Sequence, residues 1–145
     1  MNRFDPLDDL QSHLIKGEQG RLVSGPIEID FNQGRILHAR ANDDVLWVLR
    51  RLVITGFLNR DEAARMSELR ELKSRFFPSV PQDILRSFWL DRAKQNLFRW
   101  ALSTQEASVS LQNVEKGPLL GQDATRLIAV ARKQREILSK WYHNI

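Results

Sequence analysis

Ile27-Glu28-Ile29-Asp30-Phe31-Asn32-Gln33-Gly34-Arg35-Ile36-Leu37-His38-Ala39 decides the fold class of this 145-residue chain. Ile27, Ile29 and Phe31 alternate with Glu28 and Asp30, the period-two pattern of a strand with one buried face. Asn32-Gln33-Gly34 supplies a short turn in which Gly34 can take a positive φ. Arg35 to Ala39 then returns as the second strand of a hairpin. The surrounding sequence is helical in pattern, so the hairpin makes the fold mixed. It carries no catalytic chemistry of its own.

Upstream, Pro6 to Ile15 reads as a helix with Asp5 as N-cap, Pro6 at the first position and Leu7, Leu10, Leu14 and Ile15 as its apolar stripe. Gly17 and Gly20 are expected to close it. Arg21 to Ser24 reads as a first strand, and Gly25-Pro26 as the turn into the hairpin. Downstream, Asp43-Asp44 opens a second helix, filled by Val45, Leu46, Val48, Leu49, Leu52 and Val53 and stopped at Gly56. Asn59 caps a third, with Glu62 at capping-box spacing, and Ala63, Ala64, Met66, Leu69 and Leu72 are expected to face inward.

Phe76 to Pro81 breaks the chain. A long helix follows from about Gln82 to Leu102, with Leu85, Trp89, Ala93, Leu97 and Trp100 or Ala101 at helical spacing. It is expected to be the most apolar helix and the centre of the core. Ala107 to Leu111 alternates as another strand. Asp123 is the expected cap of a last helix, with Leu127, Val130 or Ala131, Leu138 and Trp141 on one side. The predicted fold is α+β: a small antiparallel sheet (the hairpin plus one or two further strands) packed by about five helices. It forms a single domain over 1–145, with an αα insert at 43–75 and a basic C-terminal helix at 122–145.

Several chemistries are excluded by composition. The chain has no cysteine, which removes disulfides, thiolate catalysis and cysteine-based zinc sites. It has no run of 18 apolar residues and no signal-peptide pattern at the start, so a cytoplasmic protein without a membrane span is expected. His13, His38 and His143 are isolated, with no metal-binding spacing. Of the carboxylate pairs Asp8-Asp9, Asp43-Asp44 and Asp61-Glu62, two open helices, where capping and the helix dipole account for them. No nucleophile elbow, P-loop or dinucleotide fingerprint occurs. No catalytic residue, metal ligand or cofactor is therefore expected.

Two other features point to partners. The doublets Phe76-Phe77 and Trp141-Tyr142 cannot each bury both rings on one face, and aromatic residues dominate interface hot spots. Residues 121–145 also hold five bases against two acids, among them Arg126, Lys133 and Lys140. Such a run reads as a solvated helix face or as a surface for an acidic partner or nucleic acid. These seven residues are the candidates for a partner-binding surface. A winged-helix-like DNA binder is the alternative, because Leu52 to Ala64 resembles the turn region of helix-turn-helix proteins. The bases that follow, Arg60, Arg65, Arg70, Lys73 and Arg75, are interleaved with Asp61, Glu62, Glu68 and Glu71, the pattern of a solvated face. A continuous basic stripe along 60–75 would favour DNA; an apolar patch around Trp or Phe would favour a protein.

The order of elements resembles the bacterial PATAN (PatA N-terminal) domains over most of residues 7–138. Gly34-Arg35-Ile36-Leu37-His38-Ala39 is similar to their Gly-Arg-Ile-x-His-Ala strand, and Leu97-Phe98-Arg99-Trp100 to their Leu-Phe-x-Trp helix end. Gly56-Phe57-Leu58-Asn59-Arg60-Asp61-Glu62 looks like the link into their helical insert. Gln19-Gly20-Arg21-Leu22 stands where they have Thr-Gly-x-Leu, and the glycine after their Trp is replaced by Leu102-Ser103-Thr104-Gln105. The resemblance implies a non-enzymatic interaction module of bacterial signalling. Its relatives stand beside receiver domains, or in gliding-motility and cell-polarity systems run by small Ras-like GTPases with roadblock-type partners. It brings no catalytic residues, and it implies structural roles for His38 and Trp100.

Overall fold

The computed structural model describes residues 5–67, 80–103, 107–114 and 124–143, with the side chains of the last helix described through 141. Its elements are α1 (Pro6–Ile15), β1 (Gly20–Ser24), β2 (Ile27–Asn32), β3 (Arg35–Ala41), α2 (Asp44–Ile54), α3 (Arg60–Met66), α4 (Gln82–Ala101), β4 (Ser108–Ser110) and α5 (Ala124–His143). The four strands form one antiparallel sheet in the order β3-β2-β1-β4. The α+β class expected from the sequence is therefore the class observed, with five helices among the described residues.

The hairpin turns on Gln33 (φ 51°) and Gly34 (φ 76°). Positive φ at both central residues is the turn whose twist suits paired strands. One residue further along, the register shifts: Asp30 pairs with His38 but Phe31 with Ile36, so Leu37 is an extra residue in β3. Without this bulge Ile36 and Ala39, three apart, would point to opposite faces. With it both are buried in the same cluster as Leu22, Ile29 and Phe31.

Helices α1, α4 and α5 cover that face. Leu7, Leu10 and Leu14 come from α1, Leu97 and Trp100 from α4, and Leu127, Ile128 and Ala131 from α5. Asp5 caps α1 as expected, accepting from the Leu7 N–H at 2.9 Å. Trp100 is fully buried and donates its indole N–H to the Pro6 carbonyl at 3.1 Å, fixing the start of α1 to the end of α4. A second apolar cluster lies under α2, with Val48, Leu49 and Leu52 packed on Leu58, Leu85 and Phe88. Helix α3 carries the expected Asn59–Glu62 capping box but buries no residue.

Several side chains depart from the sequence expectation. Ile15 ends the α1 stripe but is 78% exposed, and Leu46 and Ala64 face solvent. Gly20 does not close α1; it lies in β1, where a Cβ would come within 2.5 Å of the Ser110 carbonyl oxygen. Helix α4 is central but not uniformly apolar, for it buries Arg92 and Asn96, while Trp89 is only half-buried. The alternation of β2 puts Asp30 on the solvent face, yet it is 1% exposed. Arg21 donates to it at 2.7 Å from β1 and Arg40 bonds it from β3, so two guanidinium groups close over the carboxylate. Phe76, Phe77, Leu69, Leu72 and the expected cap Asp123 lie outside the described residues.

The pair Asp43-Asp44 also has a different task from the one expected. Asp43 takes the N-cap position of α2 without a side-chain capping bond. Both carboxylates instead grip Arg92 of α4, Asp44 at 2.8 Å and Asp43 at 2.7 Å. Asn96 adds bonds to Asp44 at 2.9 Å and to the Ala39 carbonyl at 3.1 Å, and Asp44 also accepts from the Ala41 N–H. Buried charge is tolerated here because every charged partner is hydrogen-bonded.

Candidate functional site

Helix α5 has two distinct faces. Ala124, Leu127, Ile128 and Ala131 enter the core, with Leu138 half-buried further along. The helical spacing allows Val130 or Ala131 at the inward position; Ala131 takes it, and Val130 is 49% exposed. Ile137 is 59% exposed, and Trp141, expected on the inward side, is 62% exposed. At about 100° per residue, Arg126, Val130, Lys133, Ile137, Lys140 and Trp141 fall within an arc of about 100°. The apolar row Val130–Ile137–Trp141 runs along this arc, with Arg126, Lys133 and Lys140 edging it.

The cations of α5 divide by role. Arg132 donates to Asp8 at 2.5 Å and to Gln11 at 2.8 Å. Arg135 forms a two-point pair with Asp5, at 2.9 and 3.0 Å, and reaches the Ala101 carbonyl. These two arginines tie α5 to α1. The Arg135 hydrogen bond holds the Asp5 carboxyl below its usual value, against the opposing effect of burial. Arg126, Lys133 and Lys140 are exposed and make no ion pair among the described residues.

Where α5 passes α4, a cleft of about 520 Å³ opens beside the apolar row. Lys94, Gln95 and Phe98 line it from α4, and Arg126, Val130 and Gln134 from α5. Asp91 also borders it but is engaged by Arg51 at 3.4 Å. A second, more apolar cleft of about 350 Å³ lies between α2 and α3, beside Leu46, Val53 and the 83% exposed Ile54.

Of the seven residues proposed from sequence, Arg126, Lys133, Lys140 and Trp141 thus share one face. Tyr142 stands in the last turn of α5, its side chain outside the described residues, as are Phe76 and Phe77 altogether. Sequence reasoning missed Val130 and Ile137. The signal was present in the seven-residue step from Val130 to Ile137 and the four-residue step to Trp141, which keeps all three on one ridge. Among the described residues there is no group of three acids or histidines able to hold a metal ion, and no helix long and apolar enough to cross a membrane.

The class defined by this architecture is an α+β domain that presents one amphipathic helix face. Comparison with known proteins adds no further assignment: no family model, no curated protein and no solved structure matches the chain.

Proposed function

We propose that this chain is a PATAN-like, non-enzymatic protein-interaction module of bacterial signalling, acting on a small Ras-like GTPase, a roadblock-type protein or a response regulator in motility or cell polarity. The observation that carries the reading is the exposed row Val130–Ile137–Trp141 beside the α4–α5 cleft. Apolar side chains aligned along one helix ridge, with a cleft next to them, are the ordinary means of docking another protein. The sequence resemblance supplies the pathway; the order hairpin, helix, helical insert, long helix, strand and closing helix agrees with the one it implies.

The DNA-binding alternative has less behind it. Among the described residues helix α3 is seven residues long, and its Arg60 and Arg65 stand beside Asp61 and Glu62, whereas Arg70, Lys73 and Arg75 lie outside the described residues. On α5 the cations flank an apolar row that phosphates would leave uncovered.

The test is binding of the purified chain to the Ras-like GTPases, roadblock-type proteins and receiver domains encoded in the same genome. One of them is expected to form a complex that Trp141→Ala and Ile137→Ser weaken without loss of helicity. Recovery of DNA alone, in a strongly salt-dependent manner, would overturn the reading.

A further inference from the structure

We infer that the α5 face receives an acidic amphipathic helix of the partner protein, laid along the Val130–Ile137–Trp141 row with one apolar side chain lowered into the α4–α5 cleft. This rests on the interaction-module reading and specifies its surface and the chemistry of its ligand. The row spans eleven residue steps, or about 16 Å of helix, so about three turns of a second helix cover it. A ridge of side chains at i, i+7 and i+11 packs into the groove of another helix.

Charge selects among occupants. Arg126, Lys133 and Lys140 repeat every seven residues along one edge of the row, and none has an ion-pair partner among the described residues. An incoming helix with carboxylates at the same interval meets all three. Within the cleft Lys94 adds a fourth cation, whereas Asp91 is already held by Arg51. Glu136 is the acid of α5 itself, and it lies beyond the lysine edge, away from the row. A second copy of this chain would set the same cations against each other, which disfavours a symmetric pairing. A flat anionic membrane would leave the cleft empty; a helix fills it.

The test places a photo-reactive amino acid at Gln134, beside the row, or at Ile54 on α2, in the full chain expressed in its source cells. Captured segments are sequenced, synthesised as peptides and titrated against the purified chain. The Gln134 probe is expected to capture a segment rich in Asp and Glu with apolar residues at helical spacing. Its affinity should fall at least tenfold with the pair Lys133→Glu and Lys140→Glu, at least tenfold with Ile137→Ser, and steadily with added salt. All three sites are exposed, and circular dichroism checks that the variants stay folded.

A captured segment that is neutral or basic, capture of a second copy, of lipid or of nucleic acid, or an affinity indifferent to charge reversal, overturns the inference. If Ile54 captures a protein and Gln134 does not, the α5 assignment fails while the interaction-module reading stands. If neither position captures a protein, both fail.

Discussion

Asp5 performs two tasks, and a single substitution separates them. Its carboxylate caps α1 through the Leu7 N–H, and it receives two hydrogen bonds from Arg135. The Arg135 hydrogen bond is the largest influence on its ionisation and holds it below the usual aspartate value of 3.8. Asp43 is shifted the same way: burial pushes it up, but the charge and hydrogen bond of Arg92 together prevail. A carboxylate with a depressed folded value contributes stability above its unfolded value, and that contribution is lost as pH falls through the folded one. Asp5→Asn keeps a capping side chain and removes the charge. Urea denaturation near neutral pH is expected to show a loss of about 1 kcal/mol, which shrinks as pH falls below the usual aspartate range and through the lowered value of the folded carboxyl, where the wild-type side chain is itself neutralised. The cap was legible in the sequence because Asp5-Pro6 is a local signal. The Arg135 pair was not, because its partners are 130 residues apart and no pattern within a window joins them.

At the level of elements, the hairpin was readable because alternation and turn chemistry act over neighbouring residues. The bulge at Leu37 was not, since it depends on which residues of β3 must meet α4 and α1. Gly20 shows the same limit. Its sequence context after Gly17 suggests a helix stop, whereas its reason lies across the sheet: a Cβ there would sit 2.5 Å from the Ser110 oxygen, 3.1 Å from the Leu111 Cα and 3.2 Å from the Phe31 ring. Two of those three obstacles are backbone, so they yield only if β4 moves. Strand β4 is three residues long and exposed throughout, and among the described residues β1 is its partner in the sheet. Gly20→Ala is therefore expected to displace β4 from the sheet edge and to cost about 2 kcal/mol, in the range of overpacking a tight site. Amide exchange reads this directly: protection should be lost at the β1–β4 pairing and kept at β1–β2. Unchanged protection on β4 would show that the edge can shift without detaching.

At the scale of the whole molecule, the described residues form two apolar clusters strung on one helix. The N-terminal half of α4 gives Leu85 and Phe88 to the cluster under α2; its C-terminal half gives Ala93, Leu97, Trp100 and Ala101 to the cluster under the sheet. Arg92 sits at the junction, 4% exposed, its guanidinium joined to Asp43, Asp44 and Gln95 and lying 5.5 Å from the Trp47 ring centre. This polar cluster holds the start of α2, through Asp44, to the end of β3, through Asn96 and the Ala39 carbonyl, on one face of α4. Arg92→Leu preserves much of the volume but leaves Asp44 buried without its cation, a loss of about 3 kcal/mol for a broken buried pair. If the cluster is the coupling between the two halves, the loss falls unevenly. Amides of α2 and the first half of α4 should exchange at least tenfold faster, while those of β1 and β2 keep the wild-type rate, since their opening draws on the other cluster. An equal acceleration in both halves would mean that α4 alone makes the chain one cooperative unit, and that Arg92 stabilises the molecule without dividing it.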